Sequence, residues 1–461
     1  MSITNQRIHF IAIGGGAMHQ IAIALQKNQN QVTGSDDEIF EPSRTRLQEA
    51  GLLPAEMGWF PEKISPQLDL IVLGMHAKAD NPELLKAKEL GLQILSYPEL
   101  IYRHSADKQR VVVAGSHGKT TTTAMIMHVL KYWNRKFDYM VGAPVHGFDF
   151  TVGLTEEAPI IVIEGDEYLA SAEQPIPKFL VYQHHIGLVT GISWDHINVF
   201  PTEHIYVRQF DHFADATPKA GILVYNDEDM LASVICKKER EDVTVLEYGT
   251  PKHIVRNGIT YLINQTGKEF PVRFFGAHNL YNSNGAKVVL SKIGIHDEQF
   301  FEAIQSFEGA SNRLEKLGKN DKLMIFKDFA HAPSKLEATT MATKSQFPSK
   351  RLTAVLELHT FSSLNKEFIV SYKNTLDSAD EAFIYLNPEV VKHKNLEEIS
   401  DEELKAAFQR QDIQIFRDSE NLFQTLSEKK YDNSVLLLMS SGSFNGTNIQ
   451  TFANQLLQSN S

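Results

Sequence analysis

The sequence predicts an α/β protein with three domains, and three observations support that prediction. The chain has 461 residues, which corresponds to about three domains at roughly 150 residues each. Short apolar segments alternate with stretches of helical spacing, a pattern typical of parallel sheets covered by helices. This alternation starts again twice, so we expect domains at residues 1–105, 106–311 and 312–461. The first and third have the pattern of Rossmann-like units, and the central one that of a P-loop ATPase.

The first domain is predicted to contain three strands with helices between them. Residues 8–13 are apolar and precede three glycines and the helical pattern MHQIAIAL. Further strands are expected at residues 31–36 and 68–74, and a helix is expected at residues 82–91. That helix ends at a glycine, which is a common stop signal.

The central domain is predicted to combine buried strands with a small antiparallel insert. Buried strands are expected at residues 159–167, 186–196 and 220–229. Three segments with hairpin-like spacing follow, VTVLEYG, GITYLIN and FPVRFFGAHN. The turn signals Gly249-Thr250-Pro251 and Asn257-Gly258 favour an antiparallel arrangement of these segments.

The third domain repeats the alternation of strands and helices. Its predicted strands are residues 322–331, 351–359, 381–388, 413–420 and 433–446.

Composition excludes several classes of function. A net charge of −12 argues against a protein that binds nucleic acid or an acidic membrane over a broad surface. The single cysteine, Cys236, excludes an internal disulfide framework and suits a reducing cytoplasm. The start of the sequence lacks the regions of a signal peptide, and no segment is apolar enough to span a membrane. We therefore expect a cytoplasmic protein with neither nucleic-acid nor membrane partners.

The most specific motif is GSHGKTT, residues 115–121, which follows the β-branched run RVVVA. Its glycines allow backbone N–H groups to surround phosphate oxygens at the start of a helix, where the helix dipole adds positive potential. The lysine reaches terminal phosphates, and the threonine after it is a magnesium ligand in such loops. Val113 stands where the longer P-loop has its first glycine, so this loop is a shortened form; the alternative is an ordinary Gly-Lys-Thr turn. The residues concerned are Gly115, Ser116, His117, Gly118, Lys119, Thr120 and Thr121.

Acidic residues follow two of the central strands. Glu164, Asp166 and Glu167 lie in IVIEGDEY, and Asp195 and His196 lie in SWDH. Because the carboxyl ends of parallel strands share one edge with the P-loop, these groups are candidate magnesium ligands or acid–base groups. A solvated acidic turn is the alternative.

Polar residues near the third domain form a second set of candidates. Asn279, in GAHNLYN, either contacts an adenine or ribose or caps a helix. Arg313 lies near the domain boundary, from which it can reach phosphates. Asp328 and His331 follow a strand in KDFAHAP.

The N-terminal glycines resemble a dinucleotide-binding loop. IGGGAMH is close to Gly-x-Gly-x-x-Gly, but His19 takes the place of the third glycine. Asp36 lies 22 residues after Gly14, as in NAD-binding proteins. NAD and the diphosphate of another nucleotide both fit this pattern. In the NAD interpretation the protein is an oxidoreductase, and the second phosphate loop has no role.

Seven motifs occur in the same order as in one enzyme family: GGGAM, GSHGKTTT, EGDEY, DH, AHNLYN, NRLE and DFAHAP. Together they resemble the Mur ligases, the ATP-dependent amide-forming enzymes of bacterial cell-wall synthesis, over nearly the whole chain. The opening HFIAIGGGAM looks like the muramate-binding branch, whose first domain holds UDP-N-acetylmuramate. A folylpolyglutamate-type ligase shares the other two domains, but the sugar-binding unit argues against it.

The resemblance implies a role for each candidate residue, with ATP and Mg²⁺ as cofactors. It implies catalytic roles for Lys119, His196 and Arg313, and magnesium binding by Thr120, Glu164 and His196. ATP is expected to contact residues 115–121 together with Asn279, Arg313 and Asp328. The amine substrate is expected near His331 and His359. The expected UDP-sugar contacts are Gly14, Gly15, Gly16, Ala17, Met18, Ser35, Asp36 and His76.

Two amine substrates fit this branch. Tyr168 in EGDEY, the stretch GSDDEIFEPSRTRLQEAG and the late MSSGSFNG favour the recycled tripeptide L-Ala-γ-D-Glu-meso-diaminopimelate. L-Alanine is the alternative, and the choice between diaminopimelate and lysine stays open. We expect a monomer or a weak homodimer.

The third domain departs from the family pattern in two places. Lys327 replaces an aspartate and Ala332 a histidine. A non-catalytic sensor of nucleotide and UDP-sugar is therefore a further alternative. Residues 197–218 contain no lysine, so the carbamylated lysine that several Mur ligases use as a metal ligand is not expected.

Overall fold

The first sheet is parallel and confirms the predicted strands of the N-terminal domain. The computed structural model describes residues 3–75, 77–171, 174–196, 199–238, 240–310 and 313–460. The strands of this sheet are β1 (Arg7–Ile11), β2 (Gln31–Ser35), β3 (Leu70–Leu73) and β4 (Ile94–Ser96). Its helices are α1 (Met18–Lys27), α2 (Ser43–Glu49), α3 (Pro82–Glu89) and α4 (Tyr97–His104). The strand order is β2-β1-β3-β4, so the glycines after β1 open onto its carboxyl edge.

The second sheet is built around the P-loop strand. Its strands are β5 (Gln109–Ala114), β6 (Asp138–Met140), β7 (Val152–Gly153), β8 (Ile160–Glu164), β9 (Ile186–Val189), β10 (Ile222–Asn226) and β11 (Thr244–Tyr248). Its helices are α5 (Lys119–Tyr132), α6 (Lys178–Val181), α7 (Glu203–Asp215) and α8 (Met230–Cys236). The order is β11-β10-β9-β5-β8-β6-β7, with only β7 antiparallel to its neighbour among the described strands. Glu164 and the P-loop therefore end neighbouring parallel strands, as predicted.

One strand predicted in the antiparallel insert belongs to the second sheet. VTVLEYG was expected in the antiparallel insert, but it forms β11 and pairs in parallel with β10. The physical reason is α8, which carries the chain back along the sheet, and a helical crossover returns a strand in the parallel direction. The sequence analysis did not predict α8.

The antiparallel insert itself is confirmed, but its first strand was not predicted, and its third strand ends well before the predicted segment FPVRFFGAHN does. It consists of β12 (His253–Arg256), β13 (Ile259–Ile263) and β14 (Glu269–Val272), joined as two antiparallel pairs. Helices α9 (Ala277–Ser291) and α10 (Asp297–Ile304) follow it.

The third sheet carries apolar layers on both faces. Its strands are β15 (Glu315–Lys319), β16 (Leu323–Asp328), β17 (Arg351–Leu358), β18 (Glu381–Leu386), β19 (Gln414–Phe416) and β20 (Ser434–Met439). Its helices are α11 (Pro333–Gln346), α12 (Pro388–His393), α13 (Asp401–Phe408), α14 (Ser419–Glu428) and α15 (Ile449–Ser459). The order is β15-β16-β20-β17-β18-β19, with β15 antiparallel to β16 and the other pairs parallel. Along β17, Leu356 packs into one layer and Val355 into the other, as the alternation of a strand requires.

The contacts between residues divide the chain into two compact units. The first comprises the described residues of 1–194, 198–249 and 283–303, and so holds the first two sheets. The second comprises those of 195–197, 250–282 and 304–461, and so holds the insert and the third sheet. The predicted boundary at residues 311 and 312 lies outside the described residues. Within the described parts of the chain, no helix is long and apolar enough to cross a membrane.

Candidate nucleotide and substrate sites

The loop between β5 and α5 has the backbone of a phosphate cradle. Gly115 has φ 137°, and a Cβ there would lie 2.1 Å from the Thr190 Oγ1. Gly118, with φ 78°, is the N-cap residue of α5, whose first turn contains no acidic residue and receives no side-chain cap from the described residues. The N–H groups of that turn are therefore directed towards the loop, where an anion is stabilised.

A buried hydrogen-bond network holds this loop against the next strand end. The Ser116 N–H donates to the Gly191 carbonyl at 2.8 Å. The Ser116 hydroxyl shares a hydrogen bond of 2.7 Å with the Tyr206 hydroxyl and accepts one of 2.8 Å from the Ser193 N–H. The cradle is thus preorganised by α7 and by the end of β9.

Lys119 lies in the cradle beside a buried carboxylate. Its ammonium donates to the Glu167 Oε2 at 2.6 Å and to the Gly115 carbonyl. Burial alone would lower the pKa of Lys119, but the charges of Glu167, Asp166 and Glu164 outweigh it and raise that pKa. Lys119 is therefore a fixed positive charge, as the counter-charge to a phosphoryl group must be.

Thr120 and Glu164 lie together, as predicted for a metal site. The Thr120 hydroxyl donates to the Glu164 Oε1 at 2.8 Å, and the Gly142 N–H donates to the Oε2 at 2.6 Å. A hydroxyl and a carboxylate beside a phosphate cradle are oxygen donors of the kind that Mg²⁺ prefers. Among the described residues no group of three His, Cys, Asp or Glu is placed to hold a metal. The pair therefore fits a magnesium ion that takes its remaining ligands from phosphate and water.

Asp166, another predicted acidic candidate, has a structural role. It accepts hydrogen bonds from the Lys178 ammonium at 2.5 Å and from the Tyr168 N–H at 3.0 Å. Lys178 also lies over the rings of Tyr97 and Tyr168, at 5.6 and 5.7 Å. Asp166 thus fixes the loop that carries Tyr168.

The N-terminal glycine loop is held by the predicted Asp36. The Gly14 N–H donates to the Asp36 Oδ2 at 2.7 Å, and burial raises the pKa of that carboxyl group. His19, which replaces the third glycine, bonds to the Gly15 carbonyl at 2.9 Å. Helix α1 begins after Ala17 with no acidic residue in its first turn, so its N-terminus suits a diphosphate.

Two predicted sugar-site residues have different outcomes. Ser35 accepts a hydrogen bond of 3.3 Å from the Lys63 ammonium, which brings a cation to the same strand edge. His76 lies outside the described residues.

In the second unit, Asp328 organises the backbone around Arg313. Its Oδ2 accepts from the Leu314 N–H at 2.6 Å, and its Oδ1 from the Ala330 N–H at 2.7 Å. Burial raises the pKa of Asp328, although the nearby Arg313 charge opposes that shift. The Arg313 guanidinium lies 4.9 Å from the centre of the Phe329 ring. The contact of Asp328 with ATP remains a prediction.

Asp195 and His331 meet in the second unit around Lys335. The Lys335 ammonium lies 3.4 Å from the Asp195 Oδ2. Burial would raise the pKa of Asp195, but Lys335 and His196 overcome it and lower that pKa to about 2. Burial, together with Lys335, lowers the pKa of His331 to about 4. His196 has φ 56°, and its N–H donates to the Asp195 Oδ1 at 2.8 Å.

A cleft of about 440 Å³ lies between the insert, the start of α9 and α11. His278 lines it, and burial lowers the pKa of that imidazole to about 4. The neighbouring Asn279 is buried in the first turn of α9, and its amide donates to the Phe275 carbonyl at 3.0 Å, which is not the hydrogen bond of a helix N-cap. Its contact with ATP remains a prediction.

His359 lies beside a carboxylate that the sequence analysis did not single out. Glu357 is 2% exposed, and its Oε1 lies 3.7 Å from the His359 Nδ1. The Glu357 Oε2 accepts hydrogen bonds from the Ser440 hydroxyl and from the Phe444 N–H, the latter at 2.8 Å. A glutamate inside the apolar run of β17 was the available signal, because a buried carboxylate needs partners.

These features define a class of protein: a three-domain α/β enzyme with a shortened P-loop, of the kind that couples ATP to bond formation. Family descriptions match along the chain. "Mur ligase family, catalytic domain" matches residues 7–109, "Mur ligase middle domain" residues 113–290, and "Mur ligase, glutamate ligase domain" residues 312–442.

Two relatives illustrate the similarity. The UDP-N-acetylmuramate–L-alanine ligase of Caldicellulosiruptor saccharolyticus is 31% identical over 412 residues, which cover 86% of this chain and 87% of that protein. The enzyme of the same name from Aquifex aeolicus is 27% identical over 456 residues, 95% of each chain. The chain belongs to the Mur ligase family, whose members are ATP-dependent amide ligases of peptidoglycan synthesis.

Solved structures share the fold over almost the full length. The murein peptide ligase of Psychrobacter arcticus aligns with a TM-score of 0.65 and 21% identity, over 98% of this chain and 99% of that one. The UDP-N-acetylmuramate–alanine ligase of Thermotoga maritima aligns with a TM-score of 0.71 and 20% identity, with the same coverage. The predicted three-domain α/β fold is confirmed.

Proposed function

We propose that this protein joins UDP-N-acetylmuramate to the tripeptide L-Ala-γ-D-Glu-meso-diaminopimelate, with conversion of ATP to ADP and phosphate. One observation carries the choice of a peptide: a cleft of about 370 Å³ in the third domain, at the carboxyl ends of β16 and β20. Pockets of roughly 300–1,000 Å³ hold ligands of drug size, which is more room than one alanine fills. Tyr168 and the motif MSSGSFNG, which resemble the peptide-using enzymes, support the same choice.

The chemistry follows from the poor reactivity of a carboxylate. The muramate carboxylate attacks the terminal phosphoryl group of ATP, which gives an acyl phosphate and ADP. The carboxyl carbon then carries phosphate as its leaving group, where a free carboxylate could lose only oxide. The peptide amine then attacks the carbonyl carbon, and phosphate departs as the amide forms. Catalysis of this kind consists of positioning and charge neutralisation.

Residues of this chain are proposed for each part of that work. Lys119 neutralises charge on the transferred phosphoryl group, and we assign Arg313 the same task. The loop around Gly14 holds the diphosphate of the UDP-sugar at the N-terminus of α1. Thr120 and Glu164 hold magnesium, with His196 proposed as a further ligand, and a bound magnesium ion supplies charge stabilisation to the phosphates. His331 and His359 are proposed on the amine side.

Phosphate release in the presence of UDP-N-acetylmuramate tests the proposal. With the tripeptide we expect phosphate release and a ligated product detected by mass, and with L-alanine at least tenfold lower kcat/KM. Equal or better use of L-alanine would contradict the choice of peptide. Binding of ATP and UDP-N-acetylmuramate without phosphate release would indicate the non-catalytic sensor.

Ligation of L-alanine is the second candidate function, and one observation favours it. The curated relatives named above are both L-alanine ligases, and one is 31% identical over 86% of this chain. The same experiment separates the two candidates, since they share ATP and the UDP-sugar and differ only in the amine.

A further inference from the structure

Among the described residues, one cation and one carboxylate line the cleft of about 370 Å³. Lys327 contributes the cation from the end of β16, and Glu315 the carboxylate from the start of β15. The two residues are direct cross-strand partners in the antiparallel pair. Ser443 and Thr447, from the segment after β20, also line the cleft.

Lys327 is directed into this cleft by the alternation of β16. Leu323 and Ile325, on the same face of the strand, pack with Phe444 and Ile449. Lys327 is the next residue on that face and lines the cleft. In the part of the chain that the structure describes, the Lys327 ammonium has neither a hydrogen bond nor an ion pair. In particular, it does not form an ion pair with Glu315, its cross-strand neighbour. A half-buried ammonium group without such a partner is able to bind an anionic group of a ligand.

The segment after β20, which lines the cleft, is held in place by hydrogen bonds. Glu357 anchors both ends of the segment Ser440–Phe444, and the Gly442 N–H donates to the Ser440 hydroxyl at 2.7 Å. A Cβ at Gly442 would lie 2.8 Å from the His359 ring. One side of this segment therefore packs on His359, and the other lines the cleft of Lys327.

The charges on the cleft match an amino-acid zwitterion. A ligand with a carboxylate next to an ammonium group places its carboxylate on Lys327 and its ammonium on Glu315 at the same time. This is possible because the two residues are cross-strand neighbours that do not form an ion pair with each other. The far end of diaminopimelate is such a zwitterion, whereas the far end of lysine is an ammonium alone. L-Alanine has its only carboxylate beside the reacting amine, while an extended peptide spans roughly 3.3–3.6 Å per residue.

We propose that Lys327 and Glu315 bind the distal carboxylate and ammonium of the peptide's third residue, and so select diaminopimelate over lysine. This inference rests on the proposed peptide ligation and adds to it the two residues that recognise the third residue of the peptide. Lys327, which stands where the family pattern has an aspartate, is then a specificity residue and not a lost catalytic group.

The test compares two tripeptides, ending in meso-diaminopimelate or in L-lysine, as substrates of the wild-type protein and of Lys327→Met. Wild type should use the diaminopimelate peptide with KM at least tenfold lower and similar kcat, as expected for one charged hydrogen bond. Lys327→Met should raise KM for that peptide to the value for the lysine peptide, and leave the lysine peptide unchanged. Glu315→Gln should weaken both peptides, because both carry the distal ammonium.

Lys319→Met is the matched control, since it removes the same charge from an exposed position on β15 that does not line the cleft. It should behave as wild type. Lys327→Gln and melting curves check that lost affinity does not reflect lost folding. Equal KM for the two peptides in wild type, or equal losses for both in Lys327→Met, would overturn the inference while leaving peptide ligation intact. Turnover of L-alanine but of neither peptide would overturn the proposed function, and this inference with it.

Discussion

At the scale of single residues, the P-loop lysine is paired with a buried carboxylate. Lys119 and Glu167 form a hydrogen-bonded ion pair of 2.6 Å, and Glu167 also accepts a hydrogen bond from the Tyr206 hydroxyl at 3.2 Å. The network keeps the ammonium charged and in place. In the proposed function, the phosphates of ATP enter a site whose cation is already oriented, so little reorganisation is needed in the transition state.

Replacement of this lysine should therefore lower turnover strongly. We expect Lys119→Ala to lower kcat for phosphate release about 10³-fold or more, by analogy with other cations on transferred phosphoryl groups. Lys136→Ala, which removes an exposed lysine from the same unit, should leave kcat unchanged. Phosphate release near the wild-type rate by Lys119→Ala would contradict the assignment.

Sequence reasoning brought several candidate residues to one strand edge, but it did not identify all of their hydrogen-bond partners. The sequence placed Thr120 and Glu164 side by side after the glycines of the P-loop, and the structure agrees. The motif determines its own backbone, and Glu164 ends the strand next to the one that leads into the P-loop. Asp328 and Asn279, predicted as ATP contacts, hydrogen-bond to nearby backbone groups, partners that the sequence did not indicate. A sequence shows that a carboxylate follows a strand, but not which N–H groups the folded chain presents to it.

At the scale of elements, the segment after β20 depends on one buried carboxylate. Glu357 holds Ser440 and Phe444, and through them the wall that separates His359 from the Lys327 cleft. Glu357→Ala should release this segment and raise KM for the amine substrate tenfold or more, with KM for ATP unchanged. Glu357→Gln keeps an acceptor oxygen and should retain most of the affinity. Equal amine KM in all three proteins, measured by phosphate release, would show that the segment does not shape the amine site.

The connection between the first two sheets is fastened by a second buried carboxylate. Asp138, which is fully buried, lies 3.0 Å from the His104 Nε2 and 3.1 Å from the Lys108 ammonium. It also accepts hydrogen bonds of 2.8 Å from the Thr155 N–H and hydroxyl. The residues that join α4 to β5 are thereby tied to the edge of the central sheet.

Asp138→Asn should destabilise the first unit strongly. It leaves the Lys108 charge buried without its counter-charge, which costs about 3–5 kcal/mol in comparable sites. Lys136→Ala breaks an ion pair whose side chains are 70% and 73% exposed, so it should change stability by less than about 1 kcal/mol. Denaturant unfolding measures both, and similar small losses in the two variants would show that the buried network is not stabilising.

The misassigned β11 shows where prediction of elements from sequence ends. Local alternation identified VTVLEYG as a strand, and that was correct. Its direction depends on α8, whose seven residues give too short an apolar pattern to be recognised. Strand existence is a local property, whereas strand direction depends on the connection that precedes it.

At the scale of the whole molecule, each unit contains histidines that are held neutral by burial. Burial, with His185 and Arg110, lowers the pKa of His184 in the first unit to about 3. In the second unit, the pKa values of His278 and His331 are lowered to about 4. An unfolded chain protonates such histidines near pH 6.5, so the folded state binds fewer protons than the unfolded state between that pH and the folded pKa values.

Acid should therefore weaken both units before the carboxylates titrate. A group whose pKa is lower in the folded state stabilises fully above its unfolded pKa, and this contribution is lost as the pH falls. Each buried histidine accounts for about 1.4 kcal/mol per pH unit between pH 6.5 and its folded pKa. We expect the free energy of unfolding, from denaturant titrations, to be level above pH 7 and to fall steadily from pH 6 to pH 5. His184→Gln, whose amide does not titrate, should lessen that slope for the first unit by about 1.4 kcal/mol per pH unit. A wild-type free energy that stays level down to pH 5 would contradict the prediction, because two units with neutral buried histidines cannot both be insensitive to acid.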